Sequence, residues 1–458
     1  MQDWLNAAID YIPRWVAHQV RLAEQPGCSF ALALHGKVVC EFALGHADQT
    51  QGEKLTPRHR FRVASHSKTF TAAGVLKLRE QGQWLLDDPI GRFVPGLQRD
   101  VAAATLAQLL SHSSGLVRDG ADAGQWQDRR PFLNEAELRA DLAAGPVLPA
   151  NSRFKYSNHG YGLLGLAIAA VTGEPYAEWI AREIVAASGL KHTQPDAPLA
   201  QAAAFARGHS AKWPLGRRVV IPADNATHAL ASATGVISTA ADLARFYASL
   251  MPDAKTSVLS VASRREMTRR QWRDPHATLE RWYGLGTISG GSGDWQWFGH
   301  TGGFQGTITR TVCVPAHGLS LSALSNAADG ASHAWIDGAL HILRAYAEHG
   351  APTPRTAAWR GRWWSLWGAI DLLPMGDKVR VANPTLANPL QDAVEIEPGR
   401  GGRNAQGRIT LAGGFGSHGE PAHLQLDARG RATGVQLAGA RYRSEAQIAK
   451  ELAARYDA

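Results

Sequence analysis

The sequence predicts a mixed α/β (α+β) protein: a sheet domain with a helical lobe, followed by a separate all-β module. Three observations carry that prediction. Strand-like runs lie at residues 29–44 and 284–325, on either side of a mainly helical stretch from about 65 to 190. A sheet must then be closed by segments distant in the chain, with the helices gathered into a lobe. Near residue 350 a Gly-Pro linker intervenes, and beyond it short alternating runs replace helical spacing. The length of 458 residues exceeds one ordinary domain. Hydrophobic residues at 45% and charged residues at 19% supply a large core and exclude wholesale disorder.

Taken in order, residues 1–24 place Trp4, Ile9, Ile12, Trp15, Val16 and Val20 in a broken amphipathic pattern and read as a helix. Asp3 and Asp10 and the lack of an apolar core segment exclude a signal peptide there, and no run is long enough to span a membrane. The chain is therefore expected in the cytoplasm. Residues 29–34 and 38–44 form a hairpin. Phe61-Arg62-Val63 is a short strand-like approach to a helix marked by Phe70, Ala73, Leu76 and Lys77 and stopped at Gly82. Extended residues return at 218–221, a helix at 240–250, strands at 284–325 and a helix at 334–348.

These runs divide the chain into residues 1–350, a linker at 351–358 and a C-terminal module at 359–458. Within the module, residues 422–426, 432–437 and 441–443 read as a meander, and the spacing fits a small closed barrel. Trp359, Trp363, Trp364 and Trp367 read as core or domain-interface residues, and 444–456 as a short helix.

The chemistry concentrates at Ser65-His66-Ser67-Lys68, where strand turns into helix. At that spacing the two side chains share one helical face, so the amine reaches the hydroxyl. Serine is a poor nucleophile until a base takes its proton, and a desolvated lysine can be that base. The helix start also offers backbone N–H groups to developing negative charge. The pattern alone is cheap: Ser152-Arg153-Phe154-Lys155 repeats it in a stretch that reads as extended, where the side chains would not meet. Tyr156-Ser157-Asn158 adds a phenol able to shuttle a proton and an amide able to bind a carbonyl. His300-Thr301-Gly302-Gly303 opens a strand–turn–strand, and its glycines let a substrate backbone lie close.

In this order the three motifs resemble the serine β-lactamase and penicillin-recognising superfamily. The likeness is nearest to the group of class C β-lactamases, D-alanyl-D-alanine carboxypeptidases, D-aminopeptidases and related esterases. Residues 61–95, 105–116, 154–172 and 233–246 share that group's framework, and the resemblance covers roughly residues 10–348. It implies an antiparallel sheet with helices on both faces, and a cleft between sheet and lobe with His300 on a strand and Tyr156 on a lobe loop. The C-terminal module looks like the lipocalin-like barrels of D-aminopeptidases. It further implies a hydrolase working through an acyl-enzyme on Ser65, with Lys68 and Tyr156 sharing the proton traffic; which of them is the base stays open. The resemblance adds His300 to the catalytic set; the backbone N–H groups of Ser65 and Gly303 would form the oxyanion hole, and Asn158, Thr301 and Gly302 would bind substrate. No metal and no organic cofactor is expected.

At His300 the sequence departs from class C β-lactamases, which carry a lysine there. Histidine is mostly neutral at pH 7, and His-x-Gly is the pattern of the carboxypeptidases and D-aminopeptidases. A D-aminopeptidase or D-amino acid amidase on small or short-peptide substrates is preferred; an esterase or weak β-lactamase is the alternative. A penicillin-binding or sensor protein without turnover is the reading from another class. His112 and His66 read as framework residues: no G-x-S-x-G provides a nucleophile elbow, and no H-E-x-x-H provides a zinc site. The formal charge of +8 is spread thinly. Arg264-Arg265, Arg269-Arg270 and the spot at Arg400 and Arg403 read as solvated faces, so neither nucleic acid nor membrane is an expected partner. Self-assembly into a homo-oligomer is left open. Cys28, Cys40 and Cys313 form no disulfide framework, though Cys28 and Cys40 flank a hairpin in which they could approach.

Overall fold

The computed structural model describes all residues except 1, 200–202, 214, 277, 279, 393, 400–404 and 457–458. The basic spot at Arg400 and Arg403 lies outside the described residues. Grouped by contacts, residues 25–336 form one compact unit, and residues 1–24 with 337–458 form another.

The first unit is built on an antiparallel sheet of nine strands among the described residues. Their order is Glu53–Lys54, Lys37–Asp48, Gly27–Leu34, Leu319–Ser325, Thr307–Val314, Trp295–Phe304, Ile288–Ser292, Trp282–Tyr283 and Trp272–Arg273. Gly27–Leu34 is buried nearly throughout, which is why its sequence is one apolar run without alternation. It pairs with Leu319–Ser325 from Cys28 opposite Ser325 to Leu34 opposite Leu319, the closure by distant segments that the sequence predicts. The helix Ala240–Ser249 packs on four of these strands, Lys37–Asp48, Gly27–Leu34, Leu319–Ser325 and Thr307–Val314. The helix Ser67–Glu80 is buried at every position from Ser67 to Leu76 and forms the centre of the unit rather than its surface. Around it lie the lobe helices Leu106–Leu110, Glu135–Leu142, Asn158–Thr172 and Tyr176–Ile180.

The second unit contains a closed antiparallel barrel of eight strands among the described residues, running from Gly361–Ser365 to Ala440–Arg443 with sequential neighbours paired. Trp364 opposite Arg443 closes it. Its interior is packed by Trp359, Trp363, Leu372, Val379, Ile396, Ile409, Ala422, Leu424 and Val435. The helices Asp3–Leu22 and Glu445–Tyr456 belong to the same unit. Among the described residues no helix is long and apolar enough to cross a membrane.

Three expectations change. Trp359 and Trp363 are core, but Trp367 sits at a hairpin turn and is 96% exposed. Cys28 pairs with Leu44 whereas Cys40 pairs with Leu32, so the hairpin register holds the two sulfurs apart, and all three cysteines are free. Arg264 is buried rather than solvated. Its guanidinium donates to the carbonyls of Met251 at 2.6 Å and Ala254 at 3.1 Å, closing the turn after Ala240–Ser249.

Candidate active site

The turn before the helix Ser67–Glu80 is tight. Ala64 takes a φ of 48°, the left-handed region that a residue with a Cβ adopts only at a cost. This bend carries the chain from the strand Phe61–Arg62 through one 3-10 turn, Ala64–His66, into the helix, with Ser65 at its mouth. Ser67 fixes the bend: its hydroxyl donates to Ala64 O at 2.6 Å and accepts from Val236 N at 2.9 Å. Lys68 then lies in the helix's first turn, and its Nζ is 3.2 Å from Ser65 Oγ.

Lys68 is fully buried, and its amine has two other partners, Asn158 Oδ1 at 2.7 Å and Ala233 O at 2.8 Å. In this geometry the amine donates to both and to Ser65 Oγ; in its neutral form it has two N–H groups for the first two and a lone pair for the Ser65 hydroxyl. Burial drives the amine's pKa well below the usual lysine range; Asp119 opposes that shift and Arg118 adds to it.

Tyr156 and Asn158 flank Ser157, the cap of the helix Asn158–Thr172. The Ser157 hydroxyl accepts from Gly160 N at 2.9 Å and donates to Val117 O at 2.6 Å, which anchors this helix start to the loop at 117–119. The Tyr156 phenol contacts Ser65. That contact and the nearby Arg118 charge lower its pKa, but burial outweighs them and raises it, so the phenol keeps its proton. The Lys68 Nζ lies 4.7 Å from the centre of the Tyr156 ring.

His300, Thr301, Gly302 and Gly303 form the end of the strand Trp295–Phe304. Its pairing with Ile288–Ser292 stops at Gly299, so one edge of the strand is open from His300 onward. The two glycines differ. A Cβ on Gly302 would meet Val63 O at 2.2 Å, so its smallness serves the packing of the strand against the Ser65 turn. A Cβ on the exposed Gly303 would meet only Ile308 Cδ1 at 3.6 Å. His300 Nε2 lies 3.0 Å from Tyr283 Oη, and its Nδ1 faces its own neighbour, Thr301. Burial pushes its pKa well below the ordinary histidine value, so the imidazole is neutral.

Ser65, Tyr156, Asn158, His300, Thr301, Gly302 and Gly303 line one cavity of about 450 Å³. Lys68 lies behind it. The second S-x-x-K has no such setting: Ser152 is exposed in a turn, its hydroxyl on Pro149 O at 2.6 Å. His66 is turned away, its ring nitrogens on Val63 O at 2.9 Å and Thr311 Oγ1 at 3.0 Å. His112 is buried and packs against Tyr156 with ring centres 4.1 Å apart and the planes tilted by 39°, and its Nδ1 accepts from Ser157 N at 3.1 Å. It acts as a wall behind the phenol.

Sequence reasoning missed the rest of the lining. Arg118, Asp119, Trp126, Phe154, Asp274, Arg281, Trp282 and Tyr283 all face the cavity, and only Phe154 fell inside a motif. A charged pair directly after Gly115-Leu116-Val117 was the one local signal for Arg118 and Asp119.

A family model described as Beta-lactamase matches residues 13–344. Protein flp of Staphylococcus aureus (strain MW2) is 29% identical over 192 residues, 41% of this chain and 38% of that protein. The chain thus spans about two fifths of the length of the curated relatives it matches. Among solved structures, the octameric penicillin-binding protein homologue from Pyrococcus abyssi matches with a TM-score of 0.66 at 22% identity. That alignment covers 95% of this chain and 99% of that one, a likeness of fold. The D-amino acid amidase from Ochrobactrum anthropi SV3 matches with a TM-score of 0.58 at 25% identity, covering 74% of this chain and 99% of that one.

Proposed function

The chain belongs to the beta-lactamase family, and from that premise we propose that it is a serine hydrolase forming an acyl-enzyme on Ser65, acting on D-amino acid amides or on peptides with an N-terminal D-residue. One observation carries the reading: a fully buried lysine amine, 3.2 Å from Ser65 Oγ, with its other two partners both acceptors. Burial lowers the pKa of this amine and so favours the free base, the form able to take the serine proton. Burial also keeps the Tyr156 phenol protonated, so in this reading it relays a proton and does not take the first one from Ser65. Both observations support Lys68 as the base of the proposed reaction.

In the proposed reaction Lys68 takes the Ser65 proton as Oγ bonds to the substrate carbonyl carbon. The carbonyl oxygen becomes an oxyanion held by the Ser65 and Gly303 backbone N–H groups, and losing one such donor typically costs about 3–4 kcal/mol of transition-state stabilisation. The C–N bond then breaks, Tyr156 giving a proton to the leaving amine and recovering one from Lys68. Water releases the acyl group along the same proton path. Thr301 and Gly303 offer backbone to the substrate along the open strand edge, as an added strand would use it. Residues 1–350 are the hydrolase region of this reading, 351–358 the linker and 359–458 the barrel module.

The amide preference is supported by the neutral His300, which places no fixed positive charge beside Ser65 for an antibiotic's carboxylate. The D-amino acid amidase likeness points the same way. The Pyrococcus homologue is octameric, and we carry an oligomer of this chain as part of the proposal, read by light scattering after gel filtration. The central test compares kcat/KM on D-alanine p-nitroanilide, p-nitrophenyl butyrate and nitrocefin for wild type and Ser65→Ala. The anilide is the expected best substrate, with hydrolysis abolished in the variant. A clear preference for the ester replaces the amidase by an esterase, and hydrolysis surviving in Ser65→Ala ends the serine-hydrolase reading. A stable adduct seen by intact mass with no product release favours the non-turnover binder.

A further inference from the structure

Arg118 lies over the ring of Tyr156, and Asp119 reaches Lys68 through Asn158. Asn158 Nδ2 donates to Asp119 Oδ1 at 2.5 Å, while Asn158 Oδ1 accepts from Lys68 Nζ at 2.7 Å. An amide has an acceptor end and a donor end, and a carboxylate can satisfy only the donor end. Asp119 therefore decides which way round Asn158 sits, and that choice turns the amide oxygen to Lys68. Asp119 is itself held, by Trp126 Nε1 on Oδ1 and by Arg118 Nε on Oδ2, each at 2.9 Å. Arg118 in turn accepts from Asn158 N at 2.9 Å through its carbonyl, and its guanidinium lies over the Tyr156 ring, 5.5 Å from the centre.

We infer that the Arg118–Asp119 pair is a positioning device for the base: Asp119 orients Asn158 and through it holds the Lys68 amine on Ser65, while the two opposite charges act on that amine from the same loop. This rests on the reading of Lys68 as base. The charges have a direction. A negative charge favours the ammonium and a positive one disfavours it. The other groups facing the amine are Tyr156 and Tyr161, with ring centres at 4.7 and 5.5 Å, and His112 and His300. Burial keeps both phenols protonated and both imidazoles neutral. That leaves Asp119 and Arg118 as the charged side chains that bias the amine.

The test is a ¹³Cε NMR titration of Lys68 in lysine-labelled protein, its resonance assigned by its loss in Lys68→Arg. Relative to wild type, the midpoint should fall in Asp119→Asn and rise in Arg118→Gln, each by about one pH unit, roughly tenfold in proton affinity. On D-alanine p-nitroanilide, kcat should fall in Asp119→Asn with KM changed by less than about threefold, because the residue acts through Asn158 rather than on substrate. Asp119→Glu, which keeps the charge, should restore the wild-type midpoint. Midpoints that stay fixed, or that move the same way in both variants, overturn the inference, as does a loss confined to KM. Should Asp119→Asn fail to fold, as a circular dichroism melt would show, the direction of the Arg118→Gln shift decides alone. The titration needs no turnover, so it stands or falls separately from the Ser65→Ala result.

Discussion

A lysine with no exposed surface is costly to charge, and that cost is what makes Lys68 useful. Desolvation disfavours the ammonium, so the free amine exists at pH values where an exposed lysine is fully protonated. The form that works is the deprotonated one, so kcat/KM on an activated amide should rise with pH along a single limb. The limb's midpoint should lie well below the ordinary lysine value of 10.5, the rate falling as pH drops through it. A pH–rate profile checks this, and a limb at 10.5 would show the amine solvated. Tyr156→Phe keeps the ring packed on His112 but removes the proton donor, and kcat should drop by about 10²–10⁴ with stability little changed. The Ser65–Lys68 pair was legible because three residues of helix bring two side chains together wherever the helix sits. Asp119 was not legible: its partner Asn158 is 39 residues away, and nothing in either neighbourhood encodes that meeting.

The elements that carry these residues depend on close backbone approaches, and the strand Trp295–Phe304 shows how local such needs are. Gly302→Ala would drive a methyl against Val63 O and Thr309 Oγ1, both nearer than 3 Å, with no flexible side-chain end to yield on the backbone side. It should destabilise the protein by about 1–3 kcal/mol, an overpacking cost read from urea denaturation. Gly303→Ala meets only Ile308 Cδ1 at 3.6 Å, so it should fold normally while crowding the open edge and lowering kcat/KM. Equal stability losses in the two variants would contradict this division of roles. One step back along the chain, Arg62 is wholly buried beside Asp196, donating to its carboxylate at 3.1 Å and to the carbonyls of Ala223 at 3.0 Å and Gly235 at 2.9 Å. Arg62→Met leaves Asp196 buried without its cation, and should cost about 3–5 kcal/mol in the same urea experiment. The sequence placed the strand, the turn and the helix around Ser65 correctly, since apolar spacing and stop residues are local signals. It gave no sign that one glycine serves packing and the next faces the cleft, because that depends on which backbone lies opposite.

At the scale of the whole chain, the division into a sheet unit and a barrel followed from where alternation replaces helical spacing, and the strands closing the sheet followed from strand runs at distant positions. What the helix Asp3–Leu22 rests on could not be read the same way, since an amphipathic face shows that a helix packs and not upon what. The contacts place it in the barrel's unit. Tyr11 Oη donates to Asp371 Oδ2 at 2.7 Å, and Arg362 grips the same carboxylate through two bonds of 2.7 Å. Gln19 Nε2 donates to Pro384 O at 2.5 Å. Asp371 is only 3% exposed, so its charge is tolerated because Arg362 and Tyr11 together replace water. The two ways of breaking the cluster should therefore differ. Tyr11→Phe removes one hydrogen bond to a charged acceptor and leaves the ion pair, costing about 1.5–3 kcal/mol. Asp371→Ala strips the acceptor from a half-buried guanidinium and a buried phenol at once, and should cost about 3–5 kcal/mol. Urea denaturation followed by tryptophan fluorescence, with Trp359 and Trp363 in the barrel core as reporters, should rank the second variant below the first. If Asp371→Ala proved as stable as wild type, the carboxylate would be a passive guest of that cluster and not the acceptor that binds the N-terminal helix to the barrel strands.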